Sequence, residues 1–190
     1  MAATAAKATR PTTDAASGLH KLCRKTSPRP WLGPQIQRRR EPINDMLWSI
    51  LVALANGNQK WPLYLYGPPG RGKTCASLFL ADQCPWVLYA PVERLVTWEV
   101  NRAELWWDAM RSTQLLIVDE LARSDRSHGY QGLELDAVTR AADARDPFRP
   151  AIWISNHPPE FMLRYYDERV HSRICCGTVF ELLGPDLRMR

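Results

Sequence analysis

Residues 67–74 read GPPGRGKT. The spacing G-x-x-x-x-G-K-[ST] is one that wraps a polyphosphate, the P-loop. Gly67, Gly70 and Gly72 admit backbone angles that side-chained residues resist, so successive N–H groups can turn inward toward phosphate oxygens. Lys73 carries a point charge toward the β- and γ-phosphates, and the Thr74 hydroxyl is a ligand type suited to Mg²⁺. A helix that starts here adds its positive N-terminal end to the anion site. The run Gly67, Pro68, Pro69, Gly70, Arg71, Gly72, Lys73, Thr74 and Cys75 is therefore the expected nucleotide-binding segment.

A second group lies 45 residues beyond Thr74, where LLIVDE (115–120) ends an apolar run in two acids. A buried strand of this kind delivers Asp119 to the mouth of a sheet, near Thr74, to hold Mg²⁺ directly or through water. Glu120 follows and can orient and polarise the water that attacks a γ-phosphate. A protein that only binds nucleotide does not need this second acid. AIWISN (151–156) brings Asn156 to the same sheet edge, where an amide can position that water or sense the γ-phosphate. In DERVHSRI (167–174) Arg169 and Arg173 stand at i and i+4 on one helical face. An arginine at a subunit edge can reach a neighbour's γ-phosphate, and Arg173 is the one favoured here. The competing assignment for either arginine is a surface ion pair with Asp167 or Glu168.

These groups need elements to position them. WPLYLY (61–66) reads as a buried strand, expected over 62–66, and TCASLFLADQC as the helix after the loop, over 73–83. INDMLWSILVALANG (43–57) reads as an amphipathic helix, with Ile43, Leu47, Ile50, Leu51 and Leu54 on one face and Gly57 at its end. Further strands are expected at 86–90, 115–120, 151–156 and 178–184. Helices are expected at 92–110, 133–145 and 159–174, with a polar loop at 122–131. Strands alternating with helices predict an α/β fold with a mainly parallel five-stranded sheet. Trp106-Trp107 and Tyr165-Tyr166 are expected to pack in the core or at a subunit interface rather than to stack on bases, because adjacent residues leave a helix on different sides.

The chain has 190 residues, 45% of them hydrophobic, enough for one packed domain. No apolar run approaches the ~20 residues that span a bilayer, so no membrane association is expected. The net charge of +5 is unevenly placed: residues 1–40 carry nine Lys and Arg against Asp14 alone, +8, which leaves −3 for the remainder. Residues 1–41 read as a disordered basic N-terminal tail, with prolines at 28, 30 and 34 and an apolar island at Trp31 and Leu32, and 42–190 as the folded domain. Such an arm suits nucleic acid or an acidic partner. The five cysteines (Cys23, Cys75, Cys84, Cys175 and Cys176) include no C-x-x-C pair. Neither a disulfide framework nor a zinc site is expected, and a reducing, cytoplasmic setting is.

With these residues in place, the chain resembles the AAA+ ATPases of the bacterial helicase-loader group: the DnaC and DnaI loaders, the initiator DnaA and the IstB transposition helpers. The resemblance rests on GPPGRGKT (67–74), LLIVDELA (115–122), ISNHPPE (154–160), DERVHSRI (167–174) and LLGPDLR (182–188), in family order over residues 44–188. It implies that Lys73 and Thr74 bind ATP with Mg²⁺, that Asp119 binds the metal, and that Glu120 is the catalytic acid. Asn156 matches the sensor-1 position and Arg173 the arginine finger, acting in trans within a ring or open spiral around single-stranded DNA. The implied partner is a replicative helicase or, for an IstB-like protein, a transposase. The helical lid that follows the fifth strand in full AAA+ proteins is not expected, and Arg188 and Arg190 receive no role. A small-molecule P-loop kinase is the main alternative class, but the Asp-Glu pair and the distal arginine favour hydrolysis and assembly. A nucleotide-binding scaffold with little turnover ranks below an active ATPase, since the groups for turnover are present.

Overall fold

The structure, a computed structural model, describes residues 44–82, 84, 86–122, 128–145 and 149–187. The expected basic tail, Arg188 and Arg190 lie outside the described residues, as does part of the expected loop at 122–131.

The first helix, α1 (Asp45–Ala55), starts where the side chain of Asn44 accepts a hydrogen bond from the Met46 amide. It buries Leu47, Leu51 and Leu54. Strand β1 (Leu63–Tyr66) leads through the glycine loop into α2 (Lys73–Asp82). Then come β2 (Val87–Pro91), α3 (Val92–Val100), α4 (Glu104–Ser112), β3 (Leu115–Leu121) and α5 (His128–Ala144). The described chain continues through β4 (Ala151–Ser155), α6 (Pro159–Tyr165), α7 (Glu168–Ile174) and β5 (Thr178–Glu181). The five strands are all parallel, in the order β2-β3-β4-β1-β5.

Alternation along each strand divides the core into two layers. Leu63, Leu65, Val87, Tyr89, Leu115, Ile117, Ile152 and Ile154 pack on α1 and α2. Tyr64, Leu88, Ala90, Leu116, Val118 and Trp153 pack on α3 to α7. Strands β1 to β4 are buried on both faces, which explains their nearly unbroken apolar sequences, whereas the edge strand β5 exposes Val179 and Glu181. Among the described residues no helix is long and apolar enough to cross a membrane.

Two expected helices are each divided in the structure. The predicted helix at 92–110 ends at Asn101 in a Schellman closure: Arg102 N donates to Glu99 O and Ala103 N to Trp98 O. Arg102 takes the left-handed conformation that this closure needs (φ 50°). The break lets Trp106 stack on Trp98, with ring centroids 5.1 Å apart, while Trp107 is fully buried. Arg140 of α5 lies 4.6 Å over the Trp107 ring and pairs with Glu99 and Glu104, one on each side of the break.

The predicted helix at 159–174 stops at Tyr166 and restarts because Asp167 caps α7, accepting from Val170 N at 2.7 Å. Tyr166 is buried and its ring meets Tyr165 edge-on, so both aromatic pairs take packing roles within the fold. Smaller differences concern ends. α5 begins at His128, inside the expected loop, and β5 ends at Glu181, short of residue 184.

Candidate active site

The strand order brings three loops to one edge. β4 lies between β3 and β1, so the loop after β1, the acids ending β3 and Asn156 after β4 adjoin at the carboxyl ends of the strands. Parallel α/β sheets bind ligands at that edge.

The glycine loop is wound as its sequence requires. Gly67, Gly70 and Gly72 have φ of 139°, 77° and 89°. At two of these positions space is also restricted: a Cβ on Gly67 would overlap the Leu182 carbonyl oxygen, and one on Gly70 would overlap the Asp186 carboxylate. The segment after β5 thus closes one side of the loop, with Leu182 N donating to Tyr66 O at 2.7 Å and Leu187 N to Gly70 O at 2.8 Å. Pro68 and Pro69 are exposed, and Arg71 and Cys75 are half-buried. Cys75 is a reduced thiol.

Lys73 is buried at 6% exposure. Its ammonium donates to Gly67 O at 2.7 Å, Pro68 O at 2.9 Å and Asn156 Oδ1 at 2.9 Å. The expected sensor residue therefore touches the P-loop lysine directly. Thr74 Oγ1 donates to Asp119 Oδ2 at 2.7 Å, so the two expected metal ligands already meet. Asp119 also accepts from Tyr89 OH at 2.9 Å and from Glu120 N at 2.8 Å. Burial pushes the Asp119 carboxyl above the usual carboxylate range, against the pull of these three donors. Burial and the adjacent Asp119 hold the Tyr89 phenol far above its ordinary value, which keeps it a donor.

Glu120 is exposed, unlike its neighbours in β3. The register explains how consecutive acids take different environments. Val118 pairs with Trp153 and Leu121 with Ser155, so Asp119 and Glu120 together oppose Ile154 alone. Glu120 is left-handed (φ 63°), and so is Ala122 (φ 54°). Such a bulge re-aims side chains at a strand end. Non-glycine residues in this conformation cost on the order of 1–3 kcal/mol each and persist where their surroundings over-determine them.

Hydrogen bonds supply those surroundings. Ser155 Oγ donates to Leu121 O at 3.1 Å. Ala122 N donates to Glu134 Oε1 at 3.1 Å and to Tyr166 OH at 3.0 Å, and Tyr166 OH donates to Glu134 Oε1 at 2.5 Å. Sequence reasoning missed Tyr89, Glu134, Ser155 and Tyr166. Only Glu134 carried a signal: it lies one turn before Val138 on the apolar face of α5, where a carboxylate needs partners.

Arg173 makes its ion pair elsewhere. With Arg169 it pairs to Asp143 of α5, Arg169 Nη2 lying 2.6 Å from Asp143 Oδ2. The partner within the chain is thus Asp143, not the expected Asp167 or Glu168; Asp167 is engaged in capping α7.

The donor set fits a nucleoside triphosphate with a divalent ion. Arg71 Nε is a buried N–H that makes no hydrogen bond among the described residues, a group suited to an anion. Asp119 is a buried carboxylate beside the Thr74 hydroxyl, an all-oxygen pair suited to Mg²⁺. Lys73 and Thr74 would face the phosphates and the metal respectively.

A family model described as RNA helicase matches residues 63–150. No curated protein matches the chain. Among solved structures, AMPPCP-bound DnaA from Aquifex aeolicus superposes with a TM-score of 0.57 at 19% identity, over 76% of this chain and 48% of that one. The replication initiator DnaA bound to AMPPCP and single-stranded DNA gives 0.61 at 18% identity, over 84% and 53%. The DnaC helicase loader gives 0.55 at 15% identity, over 78% and 94%. The chain thus spans about half the length of these DnaA chains and most of the DnaC chain. At these identities the likeness is one of fold: a five-stranded parallel α/β sheet with a glycine loop after β1.

Proposed function

We propose that this chain binds ATP with Mg²⁺ and hydrolyses it to ADP and phosphate. The observation that carries the reading is the pair of contacts across strand ends, Lys73 to Asn156 and Thr74 to Asp119. They join four independently expected residues into one site. In this reading Lys73 and the loop amides bind the phosphates, and Thr74 and Asp119 hold the metal. The ion would supply neutralisation of the phosphate charge. Glu120 accepts the proton of the attacking water, and Asn156 orients that water while bonded to Lys73.

The second half of the site is assigned to a neighbouring subunit. Arg173 is the finger, released from Asp143 when subunits pack. Its ion pair is half-exposed, and such surface pairs contribute only about 0–1 kcal/mol, so exchange for a phosphate is favourable. Arg173→Ala is expected to lower turnover on the order of 10³-fold at concentrations where subunits associate. Mixing it with Lys73→Ala subunits is expected to restore part of the activity, since each supplies the half the other lacks. No recovery on mixing, with both variants folded, would remove the trans assignment.

We further propose a DNA-replication accessory role, loading or remodelling a replicative helicase on single-stranded DNA. The fold shared with the DnaC helicase loader and with the DnaA bound to single-stranded DNA supports it, as does the basic tail. Deleting residues 1–40 is expected to weaken single-stranded DNA binding. The slope of log affinity against log salt should fall by about 0.7 for each phosphate that the tail neutralises. Identical binding and slope with and without the tail would assign the tail another role. Capture of a replicative helicase by the full chain supports the loader role, and capture of a transposase instead would move it to the transposition helper.

A further inference from the structure

The bulge that carries Glu120 is held by two buried side chains that come from far along the chain. Glu134 is fully buried on α5 and Tyr166 is buried at the α6–α7 turn. Both meet at one atom, the amide of Ala122, two residues after Glu120. The Tyr166–Glu134 bond closes the triangle. Burial and the adjacent Glu134 hold the Tyr166 phenol well above its ordinary value, so it remains a donor to that carboxylate.

A purely packing role for the pair would be served by apolar groups, and the surrounding residues Ala137, Val138, Met162 and Val170 are apolar. A buried carboxylate and phenol are costly there unless directed at something. What they are directed at is the backbone of a left-handed turn. Leu121 and Ala122 are tied on three sides: by Ser155 of β4, by Glu134 and by Tyr166. Glu120 itself has its amide on Asp119, so its backbone is fixed at both ends and its side chain is left exposed.

The geometry points to Glu134 and Tyr166 as positioning residues for Glu120: they hold the β3 bulge in the conformation that presents this acid to the nucleotide site. The inference rests on the reading of Glu120 as the hydrolytic acid. Neither residue touches the reacting atoms. Each acts on the turn, and a displacement of about 1 Å there is enough to cost on the order of 10²-fold in rate.

The test compares Tyr166→Phe, Glu134→Leu, Glu134→Gln and Glu120→Gln in the full chain. The readouts are kcat for ATP, affinity for a non-hydrolysable ATP analogue, and thermal unfolding. Tyr166→Phe and Glu134→Leu are expected to lower kcat about 10- to 100-fold with analogue affinity within about twofold. Glu134→Gln keeps an oxygen for Ala122 N and is expected to retain most of kcat. In a Glu120→Gln background neither disruptive change should lower residual turnover further, because the acid they position is gone. Tyr166→Phe keeps ring and volume, so the test does not depend on Glu134→Leu folding. Unchanged kcat in Tyr166→Phe, beside an inactive Glu120→Gln, would overturn the inference and leave the hydrolytic reading intact. So would losses that are additive with Glu120→Gln or that fall equally on analogue affinity. Normal turnover in Glu120→Gln would instead remove the reading of Glu120, and this inference with it.

Discussion

Lys73→Ala is expected to abolish measurable ATP binding, and turnover with it, while leaving the fold in place. Lys73 donates to two loop carbonyls and to Asn156, so its ammonium stands at the point where the β1 loop and the β4 end converge. Charge-assisted hydrogen bonds contribute about 1.5–3 kcal/mol each. Without that charge on two phosphates, binding weakens by at least about 100-fold. The fold is expected to survive because α2 packs through Ala76, Leu78 and Leu80. Calorimetric titration with ATP and Mg²⁺, beside a thermal melt, checks both parts. Retained affinity in a folded Lys73→Ala chain would mean that the octet is a turn and not a phosphate site.

Glu120→Gln is expected to bind ATP as the unaltered chain does and to hydrolyse it about 10²- to 10⁴-fold more slowly, the usual contribution of a general base. Gln keeps the shape of Glu and its tolerance of the bulge, so Asp119 stays on Thr74 and Tyr89. Only the proton acceptor is removed. Single-turnover hydrolysis separates this from binding: saturation at ordinary ATP concentrations with a slow chemical step is the expected pattern. Ordinary turnover in this variant would assign the acid elsewhere. Asp119 is unsuitable for that part in this reading, because it is buried and committed to the metal beside Thr74.

Much of the site was legible because each part is local. GPPGRGKT specifies its own backbone, and LLIVDE carries both its burial and its acids in six consecutive residues. Their meeting was an expectation from the strand pattern, realised in the contact of Thr74 with Asp119. The helix breaks at Asn101 and Tyr166 were not legible in the same way. Periodicity runs through both of them, and the breaks come from a Schellman closure at Arg102 and a cap by Asp167. Asp167 of DERVHSRI offers both a charge and a cap, and the fold uses the cap. The same segment illustrates the limit for ion pairs. Sequence neighbours suggested Asp167 or Glu168 for the arginines, whereas folding brought Asp143 across from α5.

The sequence by itself determined which groups are on offer: a glycine loop with a lysine and a threonine, two adjacent acids, an amide and an arginine pair. It also determined the alternation that makes a parallel sheet. The tertiary structure decided how those groups stand to one another. It placed β4 between β3 and β1, put Asn156 on Lys73, and formed the bulge in which the consecutive Asp119 and Glu120 oppose one residue and take different environments. It also brought Glu134 and Tyr166, 32 residues apart, onto one backbone amide. The reason is physical. A strand or a loop is specified by side chains next to one another in the chain, but a bulge and a buried hydrogen-bond triangle are specified by what the folded neighbours require, and those neighbours meet only when the sheet has formed.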